Sequence, residues 1–343
     1  MVKWYVRNNN WQSYYQCSHI HIIKYKKNDI KVHYLTTRKS KINSIPGATG
    51  FLWNPSTQEI DIQCFDGVDT IIHLAGASIS KRWTSKNKKE IFDSRGFSTQ
   101  LLKKGLEDSG TGKIKTIICA SAIGIYPNSF HETFTEKNKI LNENYLQEIV
   151  IAWEKESRKL SSLAANFSII RIGLVLSARG GLLTKLALPV KLMAGSAFGS
   201  GSQWQSWIHI SDLTLLFLHC AMNNWKGLFN AVSPNPVTQL ELIKEIGKAL
   251  NRPVFLPNIP SFILKFFLGE RSILVLGSQK ISAKLILKKG FSFQFSSLDS
   301  ALREIYNKKG WHFDKIDYLA VAYTSEAIQL RENEIKIPIL VLH

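Results

Sequence analysis

Short apolar runs alternate with longer amphipathic segments through the middle of the chain. The stretch Thr70 to Thr99 opens with Ile71-Ile72-His73-Leu74, too short for a helix, breaks at Ala75-Gly76-Ala77, and continues as a polar-rich segment with helical spacing. A buried parallel strand that ends in a tight glycine turn and feeds a crossover helix has this pattern. Lys115 to Ser121 and Phe167 to Ile172 read as further buried strands, the first ending at Ala122-Ile123-Gly124 and the second turning at Gly173. Ile30 to Thr36 reads as another strand. Asn142 to Leu163 places Leu146, Ile149, Val150, Trp153 and Leu160 at core-facing helical spacing. Strands alternating with helices over residues 30 to 175 predict an α/β fold with a doubly wound parallel sheet, whose ligands sit outside the carboxyl ends of the strands.

The pattern changes downstream. A glycine-rich part from Gly180 to Gly201 leads to Trp207-Ile208-His209, and Ser211 or Asp212 is expected to cap a helix reaching about Asn223. From Ser233-Pro234-Asn235-Pro236 onward, Thr238 to Leu250, Pro260 to Leu268 and Ser278 to Lys288 read as short helices. The expected organisation is an atypical N-terminus over 1–29, a sheet domain over 30–232, a smaller, mainly helical C-terminal lobe over 233–306, and a tail over 307–343 with no firm link to the lobe. Gly47-Ala48-Thr49-Gly50 imitates a dinucleotide-binding glycine loop. It follows Pro46 rather than a strand, and Pro55 stops any helix it would open, so it is read as a decoy.

Composition changes this picture little. The 343 residues carry a formal charge of +18, and nine basic residues against a lone Asp29 lie in the first 50. The rest are single lysines spread over helical segments, which reads as solvated faces rather than a nucleic-acid stripe. Cys17, Cys64, Cys119 and Cys220 have no paired spacing, so neither a disulfide framework nor a metal site is indicated. Reduced thiols, the missing signal-peptide pattern and apolar runs too short to span a bilayer lead to the expectation of a cytoplasmic protein with no membrane partner.

Several motifs in one order resemble a known family. His73-Leu74-Ala75-Gly76, Lys81-Arg82-Trp83, Ser94-Arg95, Trp153-Glu154, Arg171-Ile172-Gly173, Gly199-Ser200-Gly201, Trp207-Ile208-His209 and Phe229-Asn230, with Gly269-Glu270 further on, are similar to those of the YfcH-type epimerase-family proteins. These are atypical extended short-chain dehydrogenases/reductases, NAD-dependent epimerase/dehydratase-like and sometimes labelled cell-division inhibitors. The resemblance covers about Ile30 to Ile305. It implies a Rossmann-type domain, a nicotinamide dinucleotide along Leu74, Ala75 and Gly76, Arg95, Arg171 and Gly173, and an unknown small-molecule substrate held against the C-terminal lobe. Arg38 stands where such proteins contact an adenosine 2′-phosphate, which favours NADP with NAD as the alternative; read alone, it is one solvated charge in a basic run.

Two departures bear on mechanism. The first glycine of the chain is Gly47, past the second strand of the family pattern, so the glycine fingerprint that meets pyrophosphate is missing from the N-terminus. The codons for Asn9-Asn10-Trp11, read one base downstream, specify Ile or Thr, Ile or Thr, then Gly, compatible with the opening of such a fingerprint. A frameshifted or degraded start is the expectation for that segment. In the second departure, the superfamily's Tyr-x-x-x-Lys pair, which supplies proton transfer, is replaced by Leu146 and Val150, as the YfcH-type family commonly lacks it.

Ser121, at a strand end, and Tyr126 remain as catalytic candidates; Ser121 is equally readable as a serine satisfying backbone. His209 reads as a core histidine, Glu154 as one half of a structural ion pair, and Gln205 stands where nucleotide-sugar enzymes carry an arginine for the diphosphate. Two functions are expected: an NAD(P)-binding epimerase-like oxidoreductase, weak or impaired, or a non-catalytic Rossmann scaffold.

Overall fold

A computed structural model describes residues 31–45, 48–112, 114–178, 180–307 and 339–342. The expectations for residues 1–29, the frameshift among them, lie outside the described residues. In chain order the elements are β1 (Val32–Thr36), β2 (Thr49–Asn54), β3 (Glu59–Ile60), β4 (Thr70–His73), α1 (Ser85–Asp108), β5 (Ile114–Ala122), β6 (Thr133–Phe134), α2 (Tyr145–Arg158), β7 (Ala164–Ile172) and β8 (Leu174–Leu176). There follow α3 (Leu182–Lys191), β9 (Trp204–Gln205), β10 (Trp207–His209), α4 (Ile210–Met222), β11 (Gly227–Ala231), β12 (Val237–Thr238), α5 (Gln239–Ala249), α6 (Ser261–Leu268) and α7 (Ile273–Leu276). The last are β13 (Lys280–Ile281), α8 (Lys284–Lys288), α9 (Leu298–Asn307) and β14 (Ile339–Leu342).

Eight strands form one sheet in the order β11-β7-β5-β4-β14-β1-β2-β3. All neighbours are parallel except β2 and β3. Successive residues feed opposite layers, because side chains alternate across a strand. Ile71, Ile117 and Ile169 pack with Leu101, Leu102 and Leu106 of α1, whereas Ile72, Ile118 and Ile170 pack with Leu213, Leu216 and Phe217 of α4. Covering both faces explains why these strands read as continuous apolar runs, and each such side chain contributes roughly 1.5–3 kcal/mol when fully buried. The Rossmann-type sheet and the helical C-terminal part agree with expectation.

Two local readings change, the cap of α4 and the extent of the helix read over Ser278 to Lys288. Thr49–Asn54 is a strand, consistent with no glycine loop opening there; Gly50 passes so close to the Ile42 carbonyl oxygen that a Cβ would lie 2.0 Å from it. The cap of α4 is His209, whose Nδ1 accepts from Ser211 N at 3.2 Å, rather than Ser211 or Asp212. Asp212 instead accepts from Gln294 N and Phe295 N at 2.8 and 3.0 Å, tying α4 to the C-terminal lobe. The segment Ser278 to Lys288 is helical only over α8, because Lys280 and Ile281 pair with Thr133 and Phe134.

The tail departs furthest from its reading. Ile339–Leu342 is the central strand, pairing with Val32, His33 and Tyr34 on one side and with Thr70 to His73 on the other. Ile-Leu-Val-Leu is the composition of a doubly covered parallel strand, and it fills the place of the first strand in a Rossmann order. The C-terminal lobe also draws on both sides of residue 233. Its core joins Leu183, Leu186 and Val190 of α3 to Leu242, Ile243 and Ile246 of α5 and Ala301 and Leu302 of α9.

Leu340 pairs with His33 and Ile71, so Leu340→Pro is expected to cost about 1–3 kcal/mol through lost ladder bonding. Urea unfolding would show a lower midpoint, with faster amide exchange in β1 and β4. An unchanged midpoint would remove this strand from the centre of the sheet.

Candidate functional site

The carboxyl edge of the sheet gathers the residues singled out from the sequence. After β4, Leu74 and Ala75 are buried and Gly76 is exposed. The loop is pinned to α1, since Ala77 N donates to Ser94 Oγ at 2.9 Å. Arg95 lies against Gly76, where a Cβ would be 3.2 Å from its Cγ and Cζ. Its guanidinium sits 4.8 Å from the Trp153 ring, and Nη1 donates to the Ile91 carbonyl at 2.8 Å. Arg38 follows β1, its backbone N–H donating to Thr36 Oγ1 at 3.3 Å.

Behind this edge lies a buried polar network. Ser121 on β5, Arg171 on β7 and Asn230 on β11 are register partners across three neighbouring strands, so their side chains share one face. Glu154, reaching in from α2, accepts from Arg171 Nε at 2.7 Å and from Nη2 at 2.9 Å. It also accepts from Ser121 Oγ at 2.8 Å. Arg171 Nη1 donates to the Tyr126 hydroxyl at 2.9 Å, and that hydroxyl donates to Asn230 Oδ1 at 2.8 Å. Burial pushes the Tyr126 phenol above its ordinary pKa, against the opposing pull of Arg171. The pair is bidentate and nearly sealed from water, with side chains 4% and 6% exposed. Such a geometry repays part of the desolvation of both charges.

In front of the network is a cavity of about 160 Å³. Its wall includes Gly124, Leu146, Val150, Gly173, Gln205 and Gln279. Leu146 and Val150 therefore face the cavity from α2. Gly173 is required by a close approach: its N–H donates to the Ala231 carbonyl at 3.1 Å, and a Cβ would come within 2.5 Å of the Ser206 carbonyl oxygen. Tyr126 also lines the cavity, while Ser121 does not. Tyr145 stays outside it, its hydroxyl donating to the Lys88 carbonyl at 2.8 Å and its pKa pushed up to about 12 by burial.

Sequence reasoning passed over Gln279 and Asn128 as site residues. Both line the cavity; Gln279 Nε2 donates to the Tyr126 carbonyl at 2.6 Å, and Asn128 Oδ1 accepts from Ser278 N. Gln279 sat inside a segment read as a helix, where nothing local marks a cavity wall. His209 is buried away from the cavity, its Nε2 3.2 Å from Glu304 Oε2 and its ring against Phe295. Among the described residues no group of three His, Cys, Asp or Glu is placed to hold a metal ion. Cys64, Cys119 and Cys220 are buried free thiols, Cys119 pushed up to about 12 by burial.

A parallel sheet in Rossmann order, with glycines and a cavity at its carboxyl edge and a helical lobe closing over it, defines a protein of the short-chain dehydrogenase/reductase type. Residues 21–230 match the NAD dependent epimerase/dehydratase family, and residues 259–305 match a domain of unknown function, DUF1731. The chain belongs to the NAD dependent epimerase/dehydratase family. It is 34% identical over 284 residues to epimerase family protein SAR0825 of Staphylococcus aureus, spanning 82% of this chain and 93% of that one. Epimerase family protein YfhF of Bacillus subtilis is 36% identical over 239 residues, 69% of this chain and 78% of YfhF. Among solved structures, human epimerase family protein SDR39U1 with NADPH aligns with a TM-score of 0.69 at 26% identity, covering 82% of this chain and 100% of that chain. UDP-glucose 4-epimerase of Thermus thermophilus with NAD, at 13% identity and a TM-score of 0.61 over 84% of this chain and 100% of that chain, shares the fold.

Glu154→Ala is expected to destabilise the chain by about 3–5 kcal/mol, because it leaves the Arg171 guanidinium buried without its carboxylate. Glu154→Gln, which keeps hydrogen-bonding capacity, should cost less. Equilibrium urea unfolding measures both, and equal, small effects would mean that the pair contributes little.

Proposed function

We propose that the chain binds a nicotinamide dinucleotide, NADP in preference to NAD, along the carboxyl edge of the sheet and holds a small, uncharged substrate in the cavity beneath the C-terminal lobe. The observation that carries this reading is the cavity itself, which opens between the ends of β5 and β7 at Gly124 and Gly173. The relationship to the NADPH-bound human protein supports the cofactor class. Exposed Gly76 offers bare backbone to a ribose, and Arg38 offers a cation to a 2′-phosphate. These residues fit the group on its adenosine and nicotinamide sides. On the pyrophosphate side the fit is poorer: the first glycine of the sequence is Gly47, past β1, so no glycine fingerprint stands in residues 1–46. Affinity should be weak for that reason.

When bound, the dinucleotide would supply hydride exchange at its nicotinamide. The chain's own residues orient and shield. Leu146 and Val150 keep water from the cavity and carry no proton. Ser121 and Tyr126 act as positioning residues, holding Glu154 and Arg171 behind the cavity floor. Gln205, Gln279 and Asn128 offer neutral amides, which suit hydroxyl or carbonyl groups better than a diphosphate. The lack of a carboxylate, histidine or lysine among the cavity-lining residues favours a second reading, a cofactor-binding protein without catalysis.

Fluorescence titration with NADPH and NADH is the direct measurement. Binding of NADPH is expected, with Arg38→Ser lowering affinity for NADPH about tenfold more than for NADH, the value of one charge-assisted contact. Failure to bind either at millimolar concentration would overturn the enzyme reading and leave a scaffold. Equal losses for the two cofactors would remove Arg38 from the 2′-phosphate.

A further inference from the structure

A cluster of exposed apolar side chains lies on the C-terminal lobe, away from the cavity described above. No residue of α6 is buried, and Phe262, Phe266 and Phe267 are 70%, 83% and 73% exposed. Leu188 and Leu192, at the end of α3, and Phe255, before α6, are exposed as well. Backbone bonds hold these two stretches together: Ile259 N donates to the Ala197 carbonyl and Gly199 N to the Ile259 carbonyl, both at 2.8 Å, and Ser196 Oγ donates to the Pro257 carbonyl. Single exposed apolar residues are ordinary, whereas a cluster of large ones marks an interaction surface.

Basic side chains predominate on the two stretches that carry this cluster, and Arg82 and Arg271 line a pocket with Phe266, Phe267 and Glu270. No Asp or Glu occurs between Glu156 and Asp212 or between Glu245 and Glu270, and Lys191, Arg252 and Lys265 are exposed within those stretches. The nearest carboxylate in sequence, Glu270, is paired with Lys88.

We propose that this face adsorbs to an anionic lipid surface. α6, eight residues and so about 12 Å long, would lie in the plane of the interface with its phenylalanines entering the headgroup boundary. Lys191, Arg252 and Lys265 would meet the lipid phosphates. No helix among the described residues is long and apolar enough to cross a membrane, but adsorption to one leaflet needs none. A second copy of the chain fits less well, because a two-fold contact would bring these cations against their own counterparts. A lipid surface also requires no shape complementarity from side chains that project this far.

The test is co-sedimentation of the full chain with phosphatidylcholine vesicles, with and without phosphatidylglycerol. Retention is expected on the anionic vesicles and should fall as salt rises. It should drop about tenfold or more in Phe266→Ser/Phe267→Ser, and again in Lys191→Glu/Lys265→Glu. These side chains are exposed, so the thermal midpoint should hold; Phe262→Ser alone serves if the double variant loses it. No retention, or retention that the phenylalanine substitutions leave unchanged, overturns the proposal. So does a concentration-dependent dimer in sedimentation equilibrium that Phe266→Ser/Phe267→Ser dissolves, since that would assign the face to a second copy.

Discussion

The buried pair between Glu154 and Arg171 is the constraint on which the edge of this sheet depends. Arg171 lies on β7, flanked by Ser121 on β5 and Asn230 on β11, and a guanidinium at that depth requires a carboxylate close by. Glu154 meets it with two bonds and so fixes α2 against the strands. Everything else that α2 carries follows, including the presentation of Leu146 and Val150 to the cavity. Tyr126 is held by the same guanidinium, which brings the turn after β5 into the cavity wall.

That arrangement sets the character of the cavity in front of it. The cavity lies at the ends of β5 and β7, where Gly173 passes close to the Ser206 backbone and Gly124 lies against the Leu146 side chain. Leu146 and Val150, which α2 presents to the cavity, are aliphatic. Asn128, Gln205 and Gln279 bring amides to the cavity, Arg95 lines it with its guanidinium against the Trp153 ring, and Glu154 and Arg171 are turned into the network behind it. The architecture thus favours holding a ligand over acid–base chemistry.

The sheet's centre shows a second kind of dependence. A Rossmann order needs a strand between β1 and β4, and the chain provides Ile339–Leu342 there. The slot imposes period, length and apolar character on its occupant, and a segment near the end of the sequence meets those demands. Membership in the family is therefore compatible with a central strand supplied by residues 339–342.

Much of the fold was legible along the chain because it rests on local periodicity. Apolar runs of four to nine residues, glycine turns and core-facing spacing in α2 marked the strands, the crossovers and the helix that lines the cavity. Where a partner lay far away in sequence, local pattern carried no information. The register that aligns Ser121, Arg171 and Asn230, the pairing of Lys280 and Ile281 with Thr133 and Phe134, and the seat of Ile339–Leu342 were decided by tertiary structure. Ile-Leu-Val-Leu lies in a tail to which the sequence assigned no element, and an apolar run that short does not by itself distinguish strand from buried helix. Its position between β1 and β4 depends on hydrogen-bonding neighbours some three hundred residues away, and only the assembled sheet supplies them.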